Sequence, residues 1–263
     1  LASAGAAGLV SSQHSRDHRS RVREWMMNQI LSAPPRSLNN ALSVRYVGEE
    51  GVGEGPVREL LAMLAGDIFG PDSEFFTVAP NGTHAIINPH ASSLPQGKQY
   101  MTMAGRLLGL SVTQRQPFGV RLCSGIVKHL LGRGRYCGWR DLETFDTSLH
   151  KSMGAIAEAK SEQEFEGLAN GAEFVCSVPS GDDGQYKDVE LVKGGAEKVV
   201  RYAERNKFAN LYAKCRMFHN VHKELRALCD GFQAILPLKL SVCLTVRELT
   251  SLLRGPEKLD VSD

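Results

Sequence analysis

The first clear pattern of apolar and polar residues in this chain lies between Leu42 and Phe69. Apolar and polar residues alternate at its start, which is the spacing of a half-buried strand. Four glycines then fall within eight residues, and so permissive a backbone ends the strand. Pro56 suits the first turn of a helix, beyond which apolar residues recur at helical spacing. The pattern predicts a strand carrying Leu42, Val44 and Tyr46, a glycine turn, and a helix that buries Leu60, Leu61, Leu64 and Ile68.

A glycine turn before a helix is also typical of phosphate-binding loops, because free N–H groups at a helix N-terminus attract anions. The residues here do not suit that chemistry. A P-loop places Lys after its last glycine, where this chain has Pro56. Glu49, Glu50 and Glu54 would repel phosphate. A phosphate-binding enzyme that uses the Gly51–Gly55 loop is therefore the weakest of three hypotheses, and a nucleotide titration without binding would exclude it.

Helical spacing returns several times along the rest of the chain. In the helix predicted from Tyr100 to Val112, small residues should face a close neighbour, and we expect Arg106 to pair with an acid. The other predicted helices cover residues 15–30, with Val22, Trp25, Met26 and Ile30 on one face; Gly119 to Leu131, ended by Gly132; a helix from Ser148; and one long helix from about Ala203 to Ala227.

Period-two alternation predicts short strands between these helices. Phe174–Val178 and Val189–Val192 flank a Gly-Asp-Asp-Gly turn, which predicts a β-hairpin. A short strand at Ile86–Asn88 should join the strand at Leu42–Val47 in one small sheet. The chain is predicted to be α+β and predominantly helical.

Composition narrows the class of protein. Of 263 residues, 42% are apolar and 23% charged, and the net charge of +2 favours neither nucleic acid nor an anionic membrane surface. No apolar run reaches the ~18–20 residues of a membrane span. Six cysteines lie without CxxC pairs, mostly in apolar segments, which indicates free thiols and a cytoplasmic or nuclear location. Residues 1–14 are predicted to be a disordered linker, and a start without Met suggests a cut through a longer chain.

One group of residues has the chemistry of metal ligands. Cys215, His219 and His222 follow at helical spacing, with Cys229 as a fourth candidate. Structural zinc sites usually draw ligands from two segments, whereas these lie on one predicted helix. We therefore expect no metal site and no cofactor.

Several motifs resemble the HECT domain, the catalytic module of one class of ubiquitin-protein ligases. They appear in the family's order over about residues 16–263. These motifs are VRYVGEEGVGEGPVREL, IINP, YMTMAGRLLGLSV, KHLLG, WRDLETFD, VELVKGGAEKVV, ERNKFANLYAKCRM, GFQAILP and LDVSD. The resemblance implies that residues 15–263 form the large N-terminal lobe of a HECT domain with a small hairpin-bearing subdomain at 148–200. It also implies that the smaller lobe, which holds the ubiquitin-accepting cysteine, lies beyond Asp263, so no catalytic residue is assigned in this chain.

The resemblance further implies a docking groove for a ubiquitin-conjugating enzyme. Its first wall is the helix after WRDLETFD, where Leu149, Met153 and Ile156 occupy the groove positions. Phe174 and Cys176 on the hairpin would form the second wall. The family often has an aromatic residue where Ala159 stands, which should weaken the grip. From spacing alone, the three helical residues suit an ordinary core equally well.

Two further hypotheses follow from the resemblance. In the first, the chain is a fragment of a HECT-type ligase that docks a conjugating enzyme and whose full-length parent passes ubiquitin through a cysteine thioester to substrate lysines. In the second, it is a non-catalytic scaffold for conjugating enzymes. Expected partners are a conjugating enzyme, ubiquitin and, through other regions of the parent, a protein substrate.

Overall fold

The computed structural model describes residue 25 and residues 28–38, 54–180 and 185–255. The predicted linker (1–14), the strand predicted at Leu42–Val47, most of the glycine turn and the tip of the predicted hairpin lie outside these residues. The described elements are helices and short 3-10 turns with two small antiparallel sheets, which confirms the predicted α+β, predominantly helical class. None of the described helices has both the length and the apolar character of a membrane-spanning segment.

The helices and strands follow the predicted order. Helical residues 28–32 precede them. The elements are α1 (Pro35–Leu38), α2 (Glu54–Phe69), β1 (Phe76–Val78), β2 (Ala85–Ile87), α3 (Gly97–Thr113), α4 (Ser124–Leu130), α5 (Thr147–Glu158), α6 (Glu162–Ala169), β3 (Val175–Pro179), β4 (Tyr186–Glu190), α7 (Arg205–Phe218), α8 (His222–Ile235), α9 (Leu238–Ser241) and α10 (Val246–Arg254).

Helices α3 and α8 form the centre of the larger core and pack with their backbones close together. A Cβ added at Gly105 would lie 2.0 Å from the carbonyl oxygen of Leu228, and one added at Gly231 would lie 2.1 Å from that of Thr102. Only glycine permits this approach. The prediction that small residues of this helix face a close neighbour is confirmed.

Arg106 of α3 has a different role from the predicted pairing with an acid. Its Nη1 donates to the carbonyl oxygens of Ile30, Leu31 and Ala33, at 2.5, 3.0 and 3.2 Å. The last carbonyls of a helix lack partners within that helix, and a guanidinium can satisfy several of them at once. Among the described residues Arg106 binds these carbonyl groups and no acid, and it ties the N-terminal helical segment to α3.

The long helix predicted from about Ala203 to Ala227 is two helices. Helix α7 ends at Phe218, a 3-10 turn covers His219–Val221, and α8 begins at His222. The break occurs where Phe218 turns its ring toward α4, in an edge contact with His129 at 4.8 Å between ring centroids. Tertiary packing here overrides a continuous local helical pattern.

Each of the two sheets is a hairpin. In the first, β2 pairs antiparallel with β1, Phe76 opposite Ile87, and its predicted partner strand lies outside the described residues. In the second, β3 pairs with β4, with Cys176 opposite Val189, which confirms the hairpin predicted from the alternation at Phe174–Val178.

The buried apolar side chains divide into two clusters. The larger cluster joins α2, α3, α4, α8 and α10. The smaller cluster, called here the second cluster, contains Trp139, Leu142, Phe145, Met153, Ile156, Ala157, Ala159, Phe165, Phe174, Val200, Phe208, Ala209, Ala213 and Met217. Ile86 and Phe218 are partly buried against both clusters.

Candidate functional site

Helix α5 carries the three helical residues predicted to line the groove. Asp146 caps its start, since its carboxylate accepts a hydrogen bond from the backbone N–H of Leu149 at 3.0 Å. Leu149, Met153 and Ile156 then lie on one face of the helix because residues three and four apart share a stripe. That face packs on the second cluster: Met153 and Ile156 are each 7% exposed, and Leu149 is half-buried. Leu149 is therefore the member of this stripe that solvent reaches best.

Phe174 and Cys176 lie on the other side of the same region, and neither side chain is exposed. The Phe174 ring makes an edge contact with Phe208, 5.7 Å between centroids, and Lys198 Nζ lies 4.7 Å from its centre. Cys176 borders the second cluster, with Sγ 3.9 Å from the carbonyl oxygen of Tyr212. The structure thus brings Phe174 into one cluster with the α5 stripe and leaves Cys176 facing α7.

Two aromatic residues of α7 complete this region and were missed from the sequence. Phe208 is buried between Phe174 and Tyr212, whose rings lie 5.7 Å from it on either side. Tyr212 is half-buried and packs against the second cluster, as Leu149 does. Their spacing of four residues in the motif ERNKFANLYAKCRM places both rings on one face of a helix, and that signal could have found them.

Ala159, where the family often has an aromatic residue, is buried at the end of α5. The hydroxyl of Tyr202 donates to the Ala159 carbonyl oxygen at 3.2 Å. Tyr202 in turn makes an edge contact with Phe165, 6.1 Å between centroids. An aromatic side chain from another segment therefore stands beside Ala159.

A buried ionic network fixes the turn that precedes α5. Asp141 is 4% exposed, and its carboxylate accepts from Lys128 Nζ at 2.7 Å, Ser124 Oγ at 2.8 Å and the backbone N–H of Gly138 at 2.9 Å. Thr144 Oγ1 accepts from the Ser124 N–H at 2.8 Å. Since each partner satisfies a group that would otherwise be unpaired, the network holds the WRDLETFD turn firmly against α4.

The other face of α5 borders a shallow cleft of about 460 Å³. Trp139 and His150 stack at its wall, with centroids 5.5 Å apart, and Arg140 lies 4.4 Å over the Trp139 ring. Arg140 also pairs with Glu158 at 3.1 Å, but both side chains are exposed, so this pair adds little stability. Charged side chains of Arg140, Glu143, Lys151 and Glu158 line this open cleft, whereas the stripe of Leu149, Met153 and Ile156 is apolar.

The cysteines differ in reactivity. Burial raises the pKa of Cys123, Cys137 and Cys229 to about 12, so these thiols stay protonated near neutral pH. Cys215 is the exception, because a hydrogen bond from Cys176 lowers its pKa, with the Arg216 charge as a further cause. Cys243 is exposed. Cys215 and Cys229 are half-buried, and Cys123, Cys137 and Cys176 are buried.

The candidate metal ligands do not converge. Within the described ranges, no three His, Cys, Asp or Glu side chains are close enough to hold one ion. Cys215 contacts Cys176, and His222 Nδ1 lies 3.1 Å from the carbonyl oxygen of His219. His222 and Cys229 line one cleft, but Cys215 and His219 are not among the residues that line it.

Comparison with known proteins identifies the architecture. The profile of the family described as HECT-domain (ubiquitin-transferase) matches residues 62–263. The chain is 28% identical over 246 residues to E3 ubiquitin-protein ligase HACE1 of Gallus gallus, covering 94% of this chain and 25% of that protein. HACE1 of Homo sapiens matches at the same identity, with 26% of its length covered. E3 ubiquitin-protein ligase RSP5 of Saccharomyces cerevisiae is 25% identical over 256 residues, covering 95% of this chain and 30% of that protein.

These relatives are much longer than the match, since the chain spans between a quarter and a third of their length. The matched family profile nevertheless covers well over half of this chain, from within α2 onward. The motifs named from the sequence lie in this range, except VRYVGEEGVGEGPVREL, which precedes it. The chain belongs to the HECT domain family of ubiquitin transferases.

Proposed function

We propose that this chain docks a ubiquitin-conjugating enzyme through the half-buried apolar surface around Leu149, as part of a HECT-type ubiquitin ligase. Membership of the HECT family carries the proposal, because ligation needs a conjugating enzyme to deliver ubiquitin. The second cluster supports it: Leu149 and Tyr212 are both half-buried and pack against the cluster that contains Met153 and Phe174. Partly exposed side chains over a rigid apolar base suit an aromatic or aliphatic anchor from a partner.

The five predicted site residues have different parts in this proposal. Leu149 would contact the conjugating enzyme directly, whereas the buried side chains of Met153, Ile156 and Phe174 support Leu149 from below. Cys176 fixes the position of β3 beside α7. Small, transient interfaces have micromolar or weaker affinity, corresponding to a binding free energy of about −8 kcal/mol or weaker.

Leu149→Asp is the substitution that tests the docking site. It places a charge where the partner's apolar anchor would enter, and the half-buried position lets the carboxylate reach water, so the fold should survive. Met153→Asp is less suitable, because an unpaired carboxylate at a 7% exposed position would unfold the protein. Leu252→Asp is the matched control, since Leu252 is 38% exposed on α10, away from the second cluster.

Titration by NMR or calorimetry against a panel of ubiquitin-conjugating enzymes measures the effect, with circular dichroism on each variant. We expect wild type and Leu252→Asp to bind alike and Leu149→Asp to lose at least about tenfold in affinity, equal to 1.4 kcal/mol. If folded Leu149→Asp binds as tightly as wild type, the docking site lies elsewhere. If no enzyme of the panel binds wild type, the docking proposal itself fails.

We further propose that none of the six cysteines in this chain accepts ubiquitin. For Cys123, Cys137, Cys176 and Cys229 the raised thiol pKa supports this, because the thiolate is the nucleophile. For Cys215 and Cys243 the proposal rests on the family resemblance, which implies a ubiquitin-accepting cysteine in the smaller lobe. The chain is incubated with activating enzyme, conjugating enzyme, ubiquitin and ATP, and non-reducing gels should show the conjugating enzyme's thioester as an internal control but no reducible adduct of this chain. An adduct mapped to any of its cysteines would refute the assignment.

The scaffold hypothesis stays as the alternative to the ligase hypothesis. Both require docking of a conjugating enzyme, so the titration does not separate them. Sequencing the transcript beyond the codon for Asp263 does: a following lobe with a ubiquitin-accepting cysteine supports the ligase, and an immediate stop codon supports the scaffold.

A further inference from the structure

Strand β3 lies alongside helix α7, and two contacts fix their register. Cys176 Sγ lies 3.9 Å from the carbonyl oxygen of Tyr212, and Arg216 Nη1 donates to the carbonyl oxygen of Ser177 at 2.9 Å. The contacts therefore pair Cys176 with Tyr212 and the next strand residue, Ser177, with Arg216, one helical turn further along α7. Cys215 follows Tyr212 by three residues in the helix, and residues at this spacing share one face, so Cys215 lies on the face of α7 that Cys176 contacts.

The two thiols interact but have different surroundings. Cys176 is fully buried, whereas Cys215 is half-buried and so partly accessible to solvent. Interaction with the Cys176 side chain lowers the pKa of Cys215, and interaction with Cys215, together with burial, raises the pKa of Cys176. One thiol is thus reachable and prone to ionise, and the other is enclosed and protonated.

Arg216 adds positive charge next to this pair. Its Nη1 is occupied by Ser177, but its Nε is buried without a hydrogen-bond partner among the described residues. Cationic neighbours stabilise a thiolate. The arrangement resembles in its chemistry a nucleophilic cysteine next to a resolving one, a combination that favours reversible oxidation.

We propose that Cys176 and Cys215 form a reversible intramolecular disulfide when the protein meets a hydroperoxide, which crosslinks β3 to α7. The Cys215 thiolate attacks the terminal peroxide oxygen, so an S–O bond forms as the O–O bond breaks and an alkoxide or hydroxide leaves. The Cys176 sulfur then attacks the Cys215 sulfur, an S–S bond forms, and the sulfenic oxygen leaves as water with the proton of Cys176. Two thiols lose two electrons, and the hydroperoxide is reduced to an alcohol or water.

The other four cysteines lack this pairing. Cys123 and Cys137 are buried and Cys229 is half-buried, and burial raises the pKa of all three thiols to about 12. Cys243 is exposed in the segment after α9, and its Sγ lies 3.9 Å from the Lys239 carbonyl oxygen. If exposure alone decided, Cys243 would be the first thiol to oxidise, whereas the proposed disulfide forms between Cys176 and Cys215.

Peptide mapping of the oxidised protein tests the proposal. The 263-residue chain is treated with a few equivalents of hydrogen peroxide, quenched with catalase, denatured and alkylated, and its intact mass and tryptic peptides are measured. We expect a mass lower by two hydrogens before alkylation, two fewer alkylated cysteines, one crosslink between Cys176 and Cys215, and full reversal by dithiothreitol.

Three variants assign the roles. Cys176→Ala should form no such disulfide and should instead accumulate a sulfenic acid at Cys215 that dimedone labels, while Cys215→Ser should show neither product. Cys243→Ser should form the crosslink with wild-type yield. A folded wild type that oxidises only at Cys243, or one whose Cys215 is crosslinked to a cysteine other than Cys176, would overturn the proposal. Docking of a conjugating enzyme does not enter this assay, so its outcome is independent of the proposed function.

Discussion

Substitution of Gly105 by Ala tests the close approach of α3 and α8. An ideal Cβ at this position would lie 2.0 Å from the Leu228 carbonyl oxygen and 2.7 Å from the Phe232 nitrogen. Both atoms belong to the backbone of α8, so no side-chain rotation can relieve the overlap. The two helices must separate or one of them must bend.

The distance sets the size of the effect. A carbon atom and a carbonyl oxygen are comfortable at about 3.3–3.6 Å, so the backbones must separate by roughly 1.3 Å. A gap of about 0.5–1 Å already loses a quarter to a half of the dispersion energy between facing atoms. Overpacking costs about 1–3 kcal/mol or more, and Ala recovers about 1 kcal/mol of helix propensity. Since the overlap is with backbone, we expect a net loss of about 2 kcal/mol or more.

Gly66→Ala is the matched control, because Gly66 is exposed on α2 and a Cβ there would meet no atom within 4 Å. It should gain up to about 1 kcal/mol from helix propensity. Thermal and urea denaturation followed by circular dichroism measure both variants; a loss of 2 kcal/mol lowers the midpoint by about 4–8 °C in a chain of this size. The reasoning is refuted if Gly105→Ala is as stable as wild type, or if Gly66→Ala is destabilised equally.

Three further predictions concern polar contacts. Asp141→Ala leaves Lys128 without its 2.7 Å partner and should lower the free energy of unfolding by about 3–5 kcal/mol in urea titrations; a loss under about 1 kcal/mol would contradict the buried network. Hydrogen bonding to Lys198 lowers the pKa of Glu204 from 4.5 to about 2. The stabilising effect of the Glu204 carboxylate is therefore complete above pH 4.5 and is lost as the pH falls toward 2. The stability difference between wild type and Glu204→Gln should close over that range, and a difference that stays constant would contradict this assignment. Thr245→Ala removes the hydroxyl that caps α10 by accepting a hydrogen bond from the backbone N–H of Glu248 at 3.1 Å. It should lower the free energy of unfolding by about 1 kcal/mol. Hydrogen exchange should become faster in the first turn of α10 and stay unchanged in α3.

Local patterns predicted the elements of this chain well. Alternation placed the hairpin around Cys176, and glycine spacing placed the face of α3 that meets α8. These features depend on neighbours a few residues apart, and periodicity reports such neighbours directly. The α5 stripe was likewise visible as a face, although its division into a half-buried Leu149 and buried Met153 was not.

Features set by distant residues were not predictable in this way. The helix break at His219–Val221 depends on Phe218 packing against α4, Arg106 binds carbonyl groups about 75 residues away in the chain, and Cys215 meets its partner 39 residues away. Each of these contacts follows from how the helices are arranged in space. A single sequence carries no local sign of such contacts.

Phe218 and Ile86 have a consequence for how this protein unfolds. Both side chains are partly buried against the two clusters, so neither cluster can open without exposing apolar surface of the other. The energetic coupling between them should make unfolding a single cooperative transition, with the slowest-exchanging amides of α5 and α3 protected to a similar degree. A docked partner that stabilises α5 would then also raise the protection of α3, on the opposite side of Phe218.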